Sequence, residues 1–429
     1  MGVAVQEKSF RFVRKVGGIS EYTLKKNGLQ ILHKRESAAP VVAVCVTFHV
    51  GSRNEAKGHT GSTHILEHLL FKDSKNFNRA NGNAITDYLE WFGAYLNATT
   101  WLDRTNYFEL LPREHFEKAL ALEADRMRDS LFSDADLQSE MPVVRNEYER
   151  TRNNPFELLD EEVMAKAFIK HPYHIPTIGT KEDIEGSDEK KLREFYDTFY
   201  WPNNATLSVF GDVAWKEVAA AVVKYFGAIP RAPRAIPRMS VVEPVQKETQ
   251  NITLTKPLGI SIAMVGYKIP SATHRDYPAL LMLGTILGGG FSSRLQKALV
   301  DRGLAAEISV SVPALHDPGL MVITAHIAEG ATPKKVLETL EREIQAFKKE
   351  GPTKEELARA KERLLSQFAF ERDGVFSEIR AVSESIAAGD WALGFKLESA
   401  ITKMTLAPLK SVAKKYLNSS QKTVGTLTP

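Results

Sequence analysis

Residues Gly58–Ser74 read GHTGSTHILEHLLFKDS, and the motif HILEH at positions 64–68 decides how the rest of the chain is interpreted. Side chains four positions apart lie on one face of a helix, so His64 and His68 can direct two imidazoles at one point. Two neutral imidazoles that converge in this way suit Zn²⁺. Glu67 lies beside the same face, where it can act as a general base without being a metal ligand. The alternative is that two histidines and an acid share a helix face by chance.

A second acidic helix is predicted at Ser139–Arg150, which reads SEMPVVRNEYER. A catalytic zinc site usually has three protein ligands and one open position, so this helix is the best candidate to supply the third ligand. Glu140 and Glu147 are seven positions apart, close to two helical turns, and therefore face the same way. The spacing alone leaves both glutamates open as the ligand.

Together the two segments resemble the pitrilysin/insulysin family of zinc peptidases, which carry the inverted motif H-x-x-E-H. The stretch around HILEH is similar to the family's active-site helix. The later segment resembles its acidic E…VVxxE helix, in which the second glutamate completes the zinc site. The resemblance implies one zinc ion per chain, with His64, His68 and Glu147 as ligands. It also implies Glu67 as the catalytic base and Glu140 as a supporting acid of the catalytic site.

Two adjacent strands are predicted beyond the metal helix, at Gly93–Thr100 and Asp103–Leu111. They resemble the family's pattern G-x-x-x-N-A-x-T followed by D-x-T-x-Y, in which the Asn-Ala strand is an open sheet edge. The resemblance implies that an extended peptide substrate adds itself there as a further strand. It would bind Asn97, Ala98 and Thr99 through main-chain hydrogen bonds. The alternative is an ordinary strand with an asparagine at its bend.

Local signals place the elements that lead up to the metal helix. Asn27-Gly28 between two alternating runs predicts a hairpin. The near-continuous apolar run Val41–Val50 predicts a strand that is buried on both faces. Ser62 or Thr63 is expected to cap the metal helix at its N-terminus.

Length and composition exclude several classes of protein. The chain has 429 residues, enough for two to four domain-sized units, and a net charge of +3 with both signs spread throughout. This distribution does not favour a dedicated nucleic-acid or membrane surface, and no window of about 18 apolar residues predicts a membrane span. The only cysteine, Cys45, excludes disulfides within the chain. The start, MGVAVQEKSFRFVRK, lacks an apolar signal core, which leaves the cytoplasm, the bacterial periplasm after signal removal, or the mitochondrial matrix.

The second half of the chain repeats the first in outline. Residues 229–250 are rich in proline and arginine without an apolar period, which predicts a linker. The strand and helix patterns return over residues 251–429 without a second H-x-x-E-H, and LGGGFSSRLQKALVDRGLAAEI resembles the family's C-terminal half. We therefore expect a zinc-bearing catalytic domain at residues 1–228 and a homologous domain without the zinc motif at 251–429.

The resemblance covers nearly the whole chain and implies an α+β fold. Each homologous half is expected to hold a mainly antiparallel sheet with helices packed on one side, and the two halves to form half of a clam-shell chamber. The group that the chain resembles most is mitochondrial processing peptidase with its bacterial relatives. The expected function is a zinc metalloendopeptidase that hydrolyses unfolded peptides inside the chamber. The alternatives are a non-catalytic scaffold subunit and a protein that only binds peptides at the open edge.

One departure from the family pattern concerns the oligomer. In self-sufficient relatives the C-terminal half supplies an arginine and a tyrosine that bind substrate near the zinc. The stretch Arg302-Gly303-Leu304-Ala305 sets the register, in which these two positions are Leu299 and Ala306 here. We therefore expect a heterodimer with a homologous chain that carries the Arg/Tyr pair, the alternative being a homodimer that works without it.

Overall fold

The computed structural model describes residues 8–257 and 259–429, and its α+β class agrees with the expectation. The strands are β1 Phe10–Val16, β2 Ile19–Leu24, β3 Gln30–Arg35, β4 Val41–Phe48, β5 Tyr95–Thr100, β6 Thr105–Pro112, β7 Ala205–Gly211, β8 Gln250–Thr255, β9 Ile262–Ile269, β10 Ala305–Ser311, β11 Gly319–Ile327 and β12 Lys422–Thr428. The helices are α1 Ser62–Leu69, α2 Ile85–Glu90, α3 Phe116–Arg128, α4 Asp134–Asn153, α5 Pro155–Ala167, α6 Lys181–Glu185, α7 Glu189–Phe199, α8 Trp215–Phe226, α9 Tyr277–Gly288, α10 Pro333–Glu350, α11 Lys354–Glu371, α12 Val375–Ala387, α13 Leu393–Thr402 and α14 Leu406–Tyr416. The first part of the N-terminal stretch that was expected to lack a signal core, residues 1–7, lies outside the described residues.

The first sheet is built around β4. Within the described residues it has seven strands in the order β1-β2-β3-β7-β4-β6-β5. Only the pair β3–β7 is parallel among them. Every residue of β4 after Val41 is buried, as its continuous apolar run predicts. The hairpin between β2 and β3 is also confirmed, with Gly28 at φ +84° in its turn and Asn27 donating to the carbonyl of Phe226.

The second sheet repeats the core of the first. As far as the structure describes the chain, it has five strands in the order β10-β11-β9-β12-β8, and β8–β12 is its parallel pair. Replacing each strand by its counterpart gives β5-β6-β4-β7-β3, the order found in the first sheet. The repeat expected from the sequence is therefore confirmed, and the first sheet adds β1 and β2 at one edge.

Helices cover the first sheet on both faces. Successive side chains of a strand point to opposite faces, so Tyr107 and Phe108 of β6 mark the two sides. The ring of Tyr107 lies 4.7 Å from the guanidinium of Arg126 on α3, whereas the ring of Phe108 lies 5.7 Å from that of Phe376 on α12. The sequence predicts helices on one side of the sheet, and the structure adds α12 on the other side. This second cover explains why β4 is buried throughout.

The described chain forms two compact units that do not divide it at one point. One unit holds the described residues up to Glu147 with Pro176–Ser240 and Glu371–Ala387, and the other holds Tyr148–Ile175, Val241–Phe370 and Ala388–Pro429. Helix α12 therefore packs on β4 and β7, and helix α5 packs on β8, β9 and β12. The units differ from the expected division into residues 1–228 and 251–429 in two segments. Tyr148–Ile175 belongs to the second unit, and Glu371–Ala387 belongs to the first. Residues 227–249 contain no helix or strand.

None of the helices in the described part of the chain combines the length and apolar composition that crossing a bilayer requires.

Candidate metal centre

Helix α1 carries both histidines of the HILEH motif on one face. The rings of His64 and His68 are 4.8 Å apart between centroids, at 77° to each other. The opposite face of the helix packs into the interior, where Ile65, Leu66 and Leu69 are fully buried. The alternation of apolar and polar positions therefore orients the helix so that both imidazoles leave the core together.

The N-terminus of α1 is not capped by Ser62 or Thr63, and that expectation is wrong. The N-cap is Gly61, whose φ of +85° suits a residue without a side chain. A Cβ there would lie 2.5 Å from the carbonyl oxygen of Ile178. Glu55 instead accepts hydrogen bonds from the first turn, from Gly61 N at 2.8 Å, Thr63 N at 2.7 Å and Thr63 Oγ1 at 2.6 Å.

Helix α4 brings the two predicted glutamates to this face. Oε2 of Glu147 lies 3.3 Å from Nε2 of His64 and 3.6 Å from Nε2 of His68. These three residues can offer one ligand atom each, all within 4.8 Å of one another, and no other such group occurs among the described residues. The residues are half-buried, so a small ligand can reach them.

Glu140 lies close to two helical turns before Glu147 on α4 and contacts other groups. Its Oε2 lies 3.2 Å from Nδ1 of His68, and its other oxygen pairs closely with Lys72. Against the cost of burial, the hydrogen bonds from Lys72 and His68 hold the pKa of Glu140 below its ordinary value. An ionised carboxylate can only accept, so Nδ1 of His68 carries the proton and Nε2 keeps its lone pair for a metal.

The donor set fits zinc. Ligand atoms about 2.0–2.1 Å from a tetrahedral zinc ion lie about 3.3–3.5 Å apart, close to the two distances between the imidazoles and Glu147. Two imidazoles with one carboxylate leave a fourth position open, the arrangement of catalytic zinc sites. Nδ1 of His64 is buried and has no hydrogen-bond partner among the described residues.

Glu67 projects from the same helix without competing for the ligand position. It is half-buried and makes no hydrogen bond or ion pair with any residue that the structure describes. Burial first, and then the charge of Glu67 among other groups, raises the pKa of Tyr107 and that of Tyr200 above the ordinary value. A carboxylate without a fixed partner beside two imidazoles is free to exchange a proton with a ligand.

Strand β5, which holds Asn97, Ala98 and Thr99, is the outermost strand of the first sheet. Helix α1 packs against it, so the metal centre and the sheet edge belong to one assembly of elements. Ala98 is opposite Tyr107 in the register and its side chain is buried, whereas that of Asn97 is exposed. The expected edge position of these three residues is thus observed.

The main-chain groups at this edge follow from the hairpin register. Trp101 N donates to Arg104 O at 2.9 Å, so this pair of the β5–β6 hairpin is a hydrogen-bonded one. Such pairs alternate with non-hydrogen-bonded pairs along antiparallel strands. The N–H and C=O groups of Thr100 and Ala98 therefore point away from β6. Oδ1 of Asn97 accepts a hydrogen bond from Ala98 N at 2.8 Å, so the outward N–H group of Ala98 already has a partner within the chain.

Two residues of the site were missed by the sequence analysis. Lys72 is a basic residue at the end of the quoted stretch, and its i+4 spacing from His68 was a usable signal. Glu55 lies in a polar loop with no periodic pattern, and only the tertiary contacts reveal that it caps α1. Burial raises the pKa of Glu55 to about 7, against the hydrogen bonds from Thr63 and Gly61, which lower it.

Comparisons with known proteins cover both halves of the chain. A family model described as "Insulinase (Peptidase family M16)" matches residues 30–181, and one described as "Peptidase M16 inactive domain" matches residues 188–364. The chain is 31% identical over 420 residues to "Zinc protease PqqE" of Helicobacter pylori, covering 94% of this chain and 91% of that protein. It is 28% identical over 319 residues to the "Probable mitochondrial-processing peptidase subunit beta" of Schizosaccharomyces pombe, covering 70% of this chain and 68% of that protein.

Solved structures share the fold. The crystal structure of a protease from Helicobacter pylori matches with a TM-score of 0.90 at 28% identity, covering 96% of this chain and 99% of that one. The crystal structure of a peptidase M16 inactive domain from Pseudomonas fluorescens matches with a TM-score of 0.85, covering 96% of this chain and 98% of that one. At 18% identity, the second likeness concerns the fold alone.

Proposed function

Because the chain belongs to the insulinase family of peptidases, family M16, we propose that it is a zinc metalloendopeptidase that hydrolyses unfolded peptides. His64, His68 and Glu147 hold the zinc ion, and Glu67 is the general base. The observation that carries the proposal is the convergence of two imidazole nitrogens and one carboxylate oxygen within 4.8 Å. When bound, zinc supplies a Lewis acid that polarises a carbonyl and lowers the pKa of a water molecule to about 7.

The residues around the zinc site each have a separate role in the reaction. Glu67 takes a proton from the attacking water on a carboxylate oxygen and delivers it to the amine that leaves, a contribution of roughly 10²–10⁴-fold. Glu140 accepts from Nδ1 of His68 and keeps that ring in the tautomer that binds metal. Ala98 and Thr100 bind the main chain of an extended substrate at the open edge of β5, rather than the expected set of Asn97, Ala98 and Thr99, because the main-chain groups of Asn97 and Thr99 face β6 in this register. Such binding needs a peptide without fixed structure, which is why compact folded proteins are not expected to be cleaved.

The test combines metal analysis of the purified chain with hydrolysis of an unstructured peptide. We expect one zinc per chain, loss of activity with a chelator and recovery on adding zinc. Glu67→Gln should keep the metal and lose nearly all activity, because it retains the shape of the side chain without its basicity. Glu147→Ala should lose the metal. Glu90→Gln, an exposed residue at the end of α2, is the matched control and should behave as the native chain.

Two results contradict this proposal in different ways. Full activity of Glu67→Gln means that the base is assigned wrongly, and unchanged zinc binding by Glu147→Ala moves the third ligand to another residue. A chain that binds zinc and peptide but hydrolyses nothing, alone or with a partner, is instead a non-catalytic subunit. The match of residues 188–364 to a model described as inactive lies outside the segment that carries H-x-x-E-H, so it does not favour this outcome.

We further propose that the chain works as the zinc-bearing subunit of a heterodimer. The two positions at which self-sufficient relatives carry arginine and tyrosine are Leu299 and Ala306. Leu299 is fully buried in the core of its unit, whereas Ala306 is exposed on β10. An arginine at position 299 would place a charge in an apolar core, so the pair is not restored simply by substitution. A homologous chain that carries both groups supplies them without this cost.

A further inference from the structure

Helix α1, the metal helix, is too short to fix its own orientation. Helix α1 has eight residues, and isolated helices below about 12–15 residues are marginal in water. The direction of the two imidazoles and of Glu67 therefore depends on what fixes the two ends of the helix. A buried charged side chain contacts each end: Glu55 at the N-terminus and Arg126 at the C-terminus.

Glu55 closes the N-terminal end from a loop that precedes the helix. Its side chain accepts from two main-chain N–H groups, those of Gly61 and Thr63, and from the hydroxyl of Thr63. The residue is 7% exposed, so these bonds are shielded from water. The N–H groups of the first helical turn have no partners within the helix, and a carboxylate satisfies them best.

Arg126 closes the C-terminal end from helix α3. Its Nε donates at 3.2 Å to the carbonyl oxygen of Leu70, the C-cap residue of α1. The guanidinium also lies 5.0 Å from the ring of Phe71 and 4.7 Å from that of Tyr107. A cation at this end is the sign that the helix dipole favours.

Two fully buried acids hold Arg126 in place. Its Nη1 pairs closely with Glu123 and lies 3.6 Å from Oε1 of Glu109. Burial, together with the charge of Glu123, raises the pKa of Glu109 well above its ordinary value. Taking such a group out of water has a desolvation cost, so a buried ion pair is weak evidence for stability. A role in orienting the metal helix accounts for its presence.

We propose that Glu55 and Arg126, the helix anchors, are positioning residues that aim α1 so that its two imidazoles meet Glu147. The inference rests on the proposed metal site. Neither anchor makes a hydrogen bond or ion pair with a ligand in the described contacts, and both bond to groups at the ends of α1, with the charge of His64 acting on Glu55 only at longer range. The anchors thus set the metal affinity and the rate of the chemical step, whereas substrate binding at β5 depends on other residues.

The experiment uses the full chain with Glu55→Gln and Arg126→Lys, two variants that keep the size of the side chain. Amide hydrogen exchange of residues 61–70 is measured on the metal-free protein, and Co²⁺ affinity is measured by chelator competition with its visible spectrum. We expect faster exchange in residues 61–70 and roughly tenfold weaker Co²⁺ binding, the scale found for residues that orient metal ligands. Zinc-loaded variants should show a lower kcat with an unchanged KM.

Matched controls separate this role from simple loss of stability. Glu243 in the other unit accepts from the main-chain N–H groups of Ile169, Lys170 and His171, as Glu55 does in its loop. Arg294 pairs with Glu356 and donates to the carbonyl oxygen of Gly351, the C-cap residue of α10, as Arg126 does for α1. Glu243→Gln and Arg294→Lys should lower the unfolding temperature to a similar degree without changing Co²⁺ affinity or exchange in residues 61–70.

The inference is overturned if both anchor variants bind Co²⁺ within twofold of the native chain and exchange residues 61–70 at the native rate. It is also overturned if the control variants weaken Co²⁺ binding as much as the anchor variants do. Failure of the proposed function has a different signature, since a native chain that binds metal without hydrolysis leaves the metal readout intact. If the native chain binds no metal, exchange in the metal-free protein still decides whether the anchors hold the helix.

Discussion

At the scale of single residues, the two glutamates nearest the histidines differ in what they contact. Glu140 is engaged by both His68 and Lys72, which keep its pKa below the ordinary value and leave it an acceptor. Glu67 has no such partner in the described structure. A proton carrier has to gain and lose a proton during the reaction, so the free carboxylate suits the base and the engaged one suits orientation. Proximity to the histidines alone does not separate these roles.

The positive charge of Lys268 destabilises the folded state. The residue lies in β9 with its Nζ 3.3 Å from the ring of Phe168, and burial lowers its pKa to about 8, against the attraction of Glu243. Below pH 8 the folded protein must keep a charge that burial disfavours. The unfolded chain releases that proton only near the ordinary value of about 10.4. The folded state therefore gains stability as the pH rises from about 8 towards 10.

We predict that Lys268→Met raises the free energy of unfolding at pH 7 by about 1–2 kcal/mol, since each pKa unit corresponds to about 1.4 kcal/mol and the amine is partly solvated. The gain should shrink as the pH rises from 8 to 10. Urea unfolding across this range measures it, with exposed Lys247→Met as the control. A gain that is independent of pH would show that packing, rather than charge, is responsible.

At the scale of elements, helix α5 approaches the second sheet so closely that the strands need glycine beneath it. A Cβ on Gly425 of β12 would lie 2.5 Å from Cγ2 of Val163 and 3.0 Å from Cδ1 of Leu159. A Cβ on Gly266 of β9 would first meet the flexible end of Leu320 at 3.1 Å. Helix α5, which makes this close approach, lies in the first half of the sequence repeat, whereas the sheet beneath it belongs to the second half.

We predict that Gly425→Ala destabilises the protein by about 1–3 kcal/mol, because the added methyl group overpacks the interface between α5 and β12. Adding Val163→Ala should recover part of the loss, since it removes the nearest atom. Gly266→Ala is the milder comparison, and thermal unfolding of the four proteins measures the order. Equal losses for the two glycines, with no recovery, would contradict the packing argument.

The edge strand allows a test with two isomeric substrates. The main-chain groups of Ala98 and Thr100 point outward, so every second N–H of an added peptide strand should face β5. A peptide N-methylated on that set of positions should bind at least tenfold more weakly, because it loses hydrogen bonds and gains a clash. Its isomer, methylated on the alternate set, should bind almost normally.

Binding of both isomers to Glu67→Gln, which should not cleave them, gives the comparison directly. The unmethylated peptide sets the reference affinity, and a scrambled peptide of the same composition checks that the main chain dominates. Equal binding of the two isomers would exclude strand addition at β5.

At the scale of the whole molecule, the chain pairs one half that carries the metal centre with one half that repeats the fold without it. Both sheets have the same five-strand core, so the repeat is architectural rather than chemical. The half without H-x-x-E-H also has an apolar residue at each of the two positions discussed above, Leu299 and Ala306. These two residues are the basis of the proposed division of labour between two homologous chains.

We predict that peptide hydrolysis by this chain rises by at least tenfold when a homologous chain carrying the Arg/Tyr pair is added, since the missing groups bind substrate in the transition state. The control is the same partner with both residues replaced by leucine and alanine. Steady-state rates of the separate and mixed chains decide the matter. A full rate from this chain alone, unchanged by the partner, would favour the homodimer.

The local features of this protein are readable from its sequence alone. The spacing of His64 and His68, the buried run of β4, the hairpin at Asn27-Gly28 and the repeated succession of strands and helices all follow from short periods along the chain, which the structure preserves. Helix and strand periodicity depends on neighbours within a few residues, and it is therefore readable without the fold. The ligand role of Glu147 came from the family resemblance and stays a prediction.

Which distant side chains complete these elements depends on contacts that form in the folded protein. Glu55 rather than Ser62 or Thr63 caps the metal helix, and Arg126 closes its other end from a helix that follows two strands later. Helices α5 and α12 join the units opposite to their place in the repeat. Each of these contacts joins segments whose separation no local period encodes. They arise because buried polar groups must find partners and sheet faces must be covered, and several distant segments could have met those needs.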